Sequence, residues 1–243
     1  MSAPLLAGKT ALVTGGGRGL GAALCEMLAT NGARVVVADI QEALANRQAG
    51  HLRELGFEAR PVVLDVGDER QVLACIEQIG VDDGGLDVLI NNAGVDYTRP
   101  LVELETAQWD HVMATNLRGP FLLCRETARH MQARGSGHIV NIASTAAKRA
   151  WPSASAYHAS KWGLLGFSHA LHAELRPHGI KVTAVIAGGM LTPFLLDRFP
   201  DIDPGVLQEP ANVAAAVLGV LALPIGSVVP EISVLPMGET SWP

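Results

Sequence analysis

Short apolar runs alternate with helix-length segments along most of the chain. The runs predict strands at residues 10–13, 34–38, 59–64, 88–90, 138–142, 181–186 and 231–235. Helical periodicity between them predicts helices over residues 19–30, 42–55, 69–79, 107–133 and 156–176. This alternation predicts parallel β-α-β units in an open, doubly wound α/β sheet. Runs 35–37 and 61–64 are apolar throughout, which is typical of strands covered on both faces.

The 243 residues contain no Ser/Gly linker, repeat or low-complexity tract that would divide them. We therefore expect one dinucleotide-binding and catalytic domain over residues 1–243. Residues 190–210 carry four prolines and lie between the sixth strand and a late apolar helix. A long connection of this kind near the carboxyl ends of strands predicts a lid-like substrate segment.

Composition narrows the classes of function. A hydrophobic content of 49% with 17% charged residues is typical of a compact folded protein, and a net charge of −6 argues against a nucleic-acid partner. No signal-peptide pattern opens the chain, and the apolar stretch 213–223 is too short to span a bilayer. The three cysteines form no CxxC pair, and no cluster of metal ligands stands out. We expect a soluble cytoplasmic protein with no metal and no membrane partner.

A glycine-rich turn, TGGGRGLG at residues 14–21, follows the first predicted strand and opens a helix. In that context backbone amides and the helix dipole favour a pyrophosphate. The expected contacts come from Gly15, Arg18, Gly19, Leu20 and Gly21.

Asp39 ends the second predicted strand, eighteen residues after the last glycine of the turn. A carboxylate there would bind the adenosine ribose hydroxyls and repel a 2′-phosphate, which favours NAD over NADP. An ordinary strand-end or N-cap aspartate is the alternative interpretation. Arg18 in the turn favours the opposite preference, because a basic side chain could meet a 2′-phosphate.

Tyr157 and Lys161 lie four residues apart on one face of a predicted helix. A lysine cation and an oxidised nicotinamide would favour the phenolate and make Tyr157 an acid/base at neutral pH. Ser144 follows the fifth strand, where a hydroxyl can polarise a carbonyl. Asn116 lies inside the helix predicted over 107–133. Three interpretations are open: it is a site residue, it faces solvent, or it marks a kink in the helix.

Taken together, these motifs resemble the short-chain dehydrogenase/reductase family, in its single-domain branch. The matching motifs are TGxxxGxG at 14–21, Asp65-Val66, NNAG at 91–94, Asn116, Ser144, and YxxxK at 157–161. The resemblance implies an oxidoreductase with a Rossmann-type sheet of about seven strands in the order 3-2-1-4-5-6-7.

The resemblance also assigns roles. Ser144 would position the substrate, Tyr157 would donate or abstract the proton, Lys161 would hold the nicotinamide ribose, and Asn116 would hold a relay water. The implied cofactor contacts are Asp65, Val66, Asn92, Ala93, Gly94, Tyr157, Lys161, Gly188 and Thr192, besides the turn and Asp39. A homotetramer or dimer is implied, in which His158, Trp162, Phe167 and His169 could serve association.

Two stretches depart from the family pattern. Ala187 stands where the family commonly has a proline before Gly188, and its presence is expected to loosen the turn without abolishing cofactor binding. The chain ends Ser241-Trp242-Pro243 and lacks the Val-Asp-Gly-Gly type of ending, which puts contacts built from that region in doubt.

The residues expected to line the substrate pocket are Ser144, Trp151, Tyr157, Met190 and Phe194, together with Asp96, Tyr97 and Leu195. Because most are apolar or aromatic, a fairly hydrophobic ketone or secondary alcohol fits best. Packing within the lid is the alternative for Trp151 and Phe194. The competing functions are an NADPH-dependent 3-oxoacyl thioester reductase and a catalytically silent NAD-binding regulator.

Overall fold

The computed structural model describes residues 4–239, so the Ser241-Trp242-Pro243 ending lies outside the described residues. Seven parallel strands form one sheet in the order β3-β2-β1-β4-β5-β6-β7. The strands are β1 (Thr10–Thr14), β2 (Arg34–Asp39), β3 (Ala59–Val63), β4 (Val88–Asn91), β5 (Gly137–Ile142), β6 (Ile180–Ala187) and β7 (Glu231–Val234). The fold class and strand order inferred from the sequence are confirmed.

Helices cover both faces of this sheet. They are α1 (Gly19–Thr30), α2 (Glu42–Glu54), α3 (Glu69–Asp83), α4 (Thr106–Met113), α5 (Gly119–Arg134), α6 (Ser155–Leu175), α7 (Pro193–Leu196) and α8 (Pro210–Leu221). Because side chains alternate along a strand, Val13 packs towards α1 and α8 while its neighbour Leu12 packs towards α3, α5 and α6. Two buried layers therefore hold the strand ends in fixed positions.

The long helix predicted over 107–133 is wrong as one continuous element. A π-helical turn, Ala114–Arg118, separates α4 from α5. Pro120 stands in the first turn of α5, and a proline ring clashes with the carbonyl four residues earlier, which here belongs to Asn116. The widened turn accommodates this clash and rotates Asn116 inward, where it is fully buried.

The strand prediction for 59–64 also needs a correction. β2 is buried along Val35–Val37 as expected, but β3 lies at one edge of the sheet and Val63 is 52% exposed. Pro61 fits an edge position, because proline lacks the N–H that an inner strand would need.

Residues 190–210 are more ordered than an irregular connection. The segment contains α7, a short 3-10 turn at Pro204–Val206 and a parallel bridge between Met190 and Gln208. It lies beside the carboxyl ends of the strands. Within residues 4–239, no helix is long and apolar enough to cross a membrane.

Candidate active site

One cavity of about 570 Å³ opens at the carboxyl edge of the sheet. Every residue that the sequence analysis assigned to cofactor or substrate lines it except Tyr97, as do three of the four assigned to catalysis. These are Gly15, Arg18, Gly19, Leu20, Gly21, Asp39, Asp65, Val66, Asn92, Ala93, Gly94, Asp96, Ser144, Trp151, Tyr157, Lys161, Gly188, Met190, Thr192, Phe194 and Leu195. Asn116 and Tyr97 are the assigned residues that do not line it.

The turn between β1 and α1 is shaped by its glycines. Gly15 and Gly19 have positive φ angles of 60° and 55°, which residues with a side chain rarely adopt. At Gly21 a side chain would begin only 1.9 Å from the carbonyl oxygen of Gly15. Arg18 at the N-cap makes no side-chain cap, so the first amides of α1 keep their capacity for an anion. These features fit the pyrophosphate of a dinucleotide.

Asp39 is held at the end of β2 by two backbone amides. Its Oδ2 accepts a hydrogen bond from the Gly17 N–H at 3.1 Å, and its Oδ1 accepts one from the Gln41 N–H at 3.0 Å. The carboxylate is buried yet lines the cavity. A fixed negative charge therefore stands beside the glycine turn, while Arg18 is exposed at the rim.

The NNAG turn is tied to β1. Thr14 Oγ1 accepts hydrogen bonds from the N–H groups of Asn92 and Ala93, at 3.0 and 3.1 Å. The Asn92 amide in turn donates to the Thr14 carbonyl at 2.9 Å. These bonds bring the two cofactor-facing turns together. The sequence analysis did not single out Thr14, although a polar residue at a buried strand end is the signal that could have found it.

Tyr157, Ser144 and Lys161 converge at one end of the cavity. Ser144 is hydrogen-bonded to the Tyr157 phenol. Lys161 Nζ donates to the Ile142 carbonyl at 2.8 Å and lies 5.6 Å from the centre of the Tyr157 ring. The ammonium is therefore placed below the phenol by a strand carbonyl and does not bond to the phenolic oxygen directly.

Burial dominates the ionisation of both groups. It raises the pKa of Tyr157 to about 12, against the lowering effects of the Ser144 hydrogen bond and the Arg198 charge. Burial also lowers the pKa of Lys161 to about 8. The expected depression of the Tyr157 pKa is thus not produced by the protein groups by themselves, and the phenol is protonated at neutral pH.

Asn116 is anchored to the loop after β4. Its Nδ2 donates to the Val95 carbonyl at 2.8 Å, and its Oδ1 accepts from the Val95 N–H at 2.8 Å. The same Nδ2 contacts Ser160 Oγ at 3.1 Å. The solvent-facing interpretation of Asn116 is therefore wrong. The kink interpretation matches the π turn, and the side chain braces the wall of the cavity.

The comparison with known proteins decides the family. A profile of the short chain dehydrogenase family matches residues 9–203. The chain belongs to the short-chain dehydrogenase/reductase family. It is accordingly an oxidoreductase that acts on CH–OH groups of small molecules with a nicotinamide dinucleotide.

Relatives within this family carry different substrate names. The D-threitol dehydrogenase of Mycolicibacterium smegmatis is 38% identical over 77% of this chain and 72% of its own length. The 3-oxoacyl-[acyl-carrier-protein] reductase of Haemophilus influenzae is 34% identical over 86% and 89%. A metagenomic short-chain oxidoreductase solved in complex with NADP has a TM-score of 0.86, 33% identity, and coverage of 96% and 99%.

The departure at Ala187 is accommodated in the sheet. β6 continues through Ala187, which pairs with Val234 of β7, and the Gly188 N–H donates to the Val234 carbonyl at 2.9 Å. The loosening expected from the missing proline stays a prediction. Thr192 lies against Gly19, whose Cβ would meet the threonine side chain at 3.3 Å. The turn after β6 therefore lies against the glycine-rich turn.

The burial of His158 argues against its expected role in the association of subunits. The side chain is buried, with Nδ1 2.9 Å from the Ala146 carbonyl and Nε2 accepting the Trp151 N–H at 3.1 Å. It therefore fixes the backbone that carries Trp151 into the cavity. Trp162 is 52% exposed, so its placement is consistent with the expected role in association.

The sequence analysis missed Arg198, which lines the cavity and pairs with Asp96. The signal available was its spacing of four residues from Phe194 in a short helical stretch. Tyr97, expected at the pocket, instead bonds through its hydroxyl to His111 at 2.8 Å.

Proposed function

We propose that this chain is an NAD-linked dehydrogenase/reductase that interconverts a secondary alcohol and a ketone, with Tyr157 as the acid/base. The convergence of Ser144, Tyr157 and Lys161 on one cavity that the glycine turn also lines carries this proposal. When bound, the nicotinamide supplies or accepts the hydride.

The hydrogen bonds of this site support a division of roles. Ser144 Oγ accepts from the Ala146 N–H at 3.2 Å, and its hydroxyl proton would turn from the Tyr157 phenol to a substrate oxygen when one binds. Tyr157 is protonated at neutral pH and is thus ready to donate its proton to a carbonyl being reduced. In the oxidative direction it takes the proton of the alcohol.

Lys161 would bind the nicotinamide ribose and Asn116 would hold a water, and neighbouring backbone groups fix both side chains. Lys161 is buried and its nearest acceptor is the Ile142 carbonyl, so its remaining donors are available to ribose hydroxyls. Its charge would also favour the tyrosinate when the proton is taken up. Asn116 would hold a relay water, with Val95 fixing its amide group.

Asp39 supports NAD as the preferred cofactor. Its carboxylate is fixed by two amides beside the glycine turn, where it would receive ribose hydroxyls and repel a 2′-phosphate. The expected adenine contact, Asp65, is likewise held in place because its Oδ1 accepts the Gly67 N–H at 2.8 Å. Cofactor fluorescence titration should show tighter binding of NADH than of NADPH. Equal affinities would contradict the preference.

The lining of the substrate end supports a fairly hydrophobic substrate. Trp151, Met190, Phe194, Leu195 and Phe199 are apolar or aromatic residues of the cavity wall. Initial rates with a panel of cyclic and alkyl ketones against short polyols would test this. Higher kcat/KM for the apolar ketones is expected, and a preference for polyols would contradict it.

The second candidate is an NADPH-dependent 3-oxoacyl thioester reductase, favoured by the similarity to the Haemophilus influenzae enzyme. An acetoacetyl thioester with NADPH discriminates the two proposals. Efficient turnover of that pair, with poor turnover of NADH and simple ketones, would favour the second candidate.

We also propose a cytoplasmic homo-oligomer. Cys25, Cys75 and Cys124 are free and buried, which suits a reducing compartment. Phe121 and Trp162 on α5 and α6 are 42% and 52% exposed, which provides an apolar surface for a second copy. Light scattering after size exclusion should give a dimer or tetramer, and a monomer would contradict the proposal.

A further inference from the structure

A charged pair interrupts the apolar end of the cavity. Arg198 Nη1 lies 3.1 Å from Asp96 Oδ2, and the two side chains are only 19% and 7% exposed. Asp96 follows the NNAG turn after β4, whereas Arg198 follows α7 in the segment 190–210. Because burial of two charges is costly unless they meet, their pairing fastens the segment to the sheet.

The same arginine is stacked within its own segment. Its guanidinium carbon lies 3.8 Å from the centre of the Phe194 ring, and that ring lies 5.9 Å from the ring of Tyr157. The buried Nε of Arg198 has no hydrogen-bond partner among residues 4–239. The ion pair with Asp96 therefore holds Arg198 to the loop after β4, and this pair can break when the segment 190–210 moves.

Both charges act on the phenol of Tyr157, with opposite signs. Arg198 lowers its pKa and Asp96 raises it. From the other elements, Ser144 bonds to the phenol and Lys161 lies beneath the ring on α6. The other titratable or charged residues lining the same cavity are Arg18, Asp39, Asp65, His111 and Glu239. His158, the next residue along α6, is bonded to Ala146 and Trp151.

We propose that Arg198 is a positioning residue that couples closure of the segment 190–210 to the acid/base work of Tyr157. Its ion pair with Asp96 closes the segment over the cavity and balances the carboxylate beside the phenol. Opening removes the cation and leaves the carboxylate, which disfavours the tyrosinate. Proton transfer is thereby favoured around an enclosed substrate.

This inference rests on the proposed role of Tyr157 and can be tested by the sign of its effects. Arg198→Gln removes the cation and keeps the Asp96 carboxylate, so the pH midpoint at which kcat for alcohol oxidation rises should increase by about half a pH unit or more. Asp96→Asn combined with Arg198→Gln should return that midpoint close to the wild-type value. An unchanged or lowered midpoint in Arg198→Gln would overturn the proposal.

Hydrogen exchange gives a second readout that needs no turnover. Peptides from 191–203 should exchange faster in Arg198→Gln and in Asp96→Asn than in the wild type, and Arg198→Lys should restore part of the protection. Arg70→Gln is the control, because Arg70 is 94% exposed on α3. Unaltered exchange of these peptides in both variants would overturn the proposal that the Arg198–Asp96 pair keeps the segment closed.

Failure of the proposed function gives a different pattern. If Tyr157→Phe retained turnover, the acid/base assignment would fail while the exchange difference persisted. If Tyr157→Phe were inactive but neither the exchange nor the midpoints responded, only the coupling through Arg198 would fail.

Discussion

The contact between Gly21 and Gly15 gives the sharpest prediction about the cofactor turn. An ideal Cβ at Gly21 would lie 1.9 Å from the Gly15 carbonyl oxygen and 2.8 Å from Asn92 Nδ2. Ordinary contact begins at 3.4 Å. The start of α1 must therefore retreat from the turn by about 1.5 Å in Gly21→Ala.

Two measurable losses follow from that displacement. Overpacking of this kind lowers the free energy of unfolding by about 1–3 kcal/mol. A phosphate held by the first amides of α1 also loses charge-assisted hydrogen bonds, each contributing about 1.5–3 kcal/mol. Cofactor affinity should therefore weaken by about tenfold or more. Urea unfolding and NADH fluorescence titration measure the two effects separately.

Gly219→Ala is the matched control. Gly219 lies in α8, where no atom comes within 4 Å of an added Cβ. Alanine there should raise the free energy of unfolding by about 0.4–1 kcal/mol, because it restricts the unfolded chain and favours the helix. NADH affinity should be unchanged. The reasoning is refuted if Gly21→Ala matches the wild type in stability and binds NADH within twofold.

Three further predictions concern single side chains. Asp39→Ser should narrow the preference for NADH over NADPH in titrations, and an unaltered ratio would count against charge repulsion. Asn116→Ala leaves the Val95 backbone groups unpaired and should lower the free energy of unfolding by about 2–4 kcal/mol in urea, whereas a change below about 0.5 kcal/mol would contradict the bracing role. Burial lowers the pKa of His138 to about 4, below the ordinary 6.5. Above pH 6.5 His138 is neutral in both the folded and the unfolded chain, and stability does not depend on it. As the pH falls from 6.5 towards 4, only the unfolded chain takes up the proton, so the free energy of unfolding falls by about 3 kcal/mol. His138→Asn should flatten that part of the stability profile, and a persistent slope would assign it to other groups.

The sheet could be predicted because its signals are local. Apolar runs such as 35–37 mark inner strands, and the glycine turn marks the start of α1 through backbone conformations that side chains exclude. The misjudged strand at 59–64 shows the limit. Its composition matches an inner strand, and only the strand order places it at an edge, where Val63 is exposed.

The site was less predictable because its contacts join distant parts of the chain. Asn116 was found by its motif, yet its hydrogen-bond partner Val95 lies 21 positions away on the loop after β4. Asp96 and Arg198 meet across 102 positions of sequence, and no period or motif signals that pairing. The inward position of His158 likewise depends on the packing of Trp151 above it.

Turnover by Tyr157→Phe tests the central claim most directly, with Tyr97→Phe as its control, because these are the two tyrosines of the chain. Steady-state rates with NAD and an alcohol from the substrate panel should fall by about 100-fold or more in Tyr157→Phe. NADH affinity should stay close to the wild-type value in both variants. Tyr97→Phe should keep its rate within about fivefold, since it loses one partly exposed hydrogen bond to His111. A Tyr157→Phe variant that binds NADH and turns over at the wild-type rate would contradict the account.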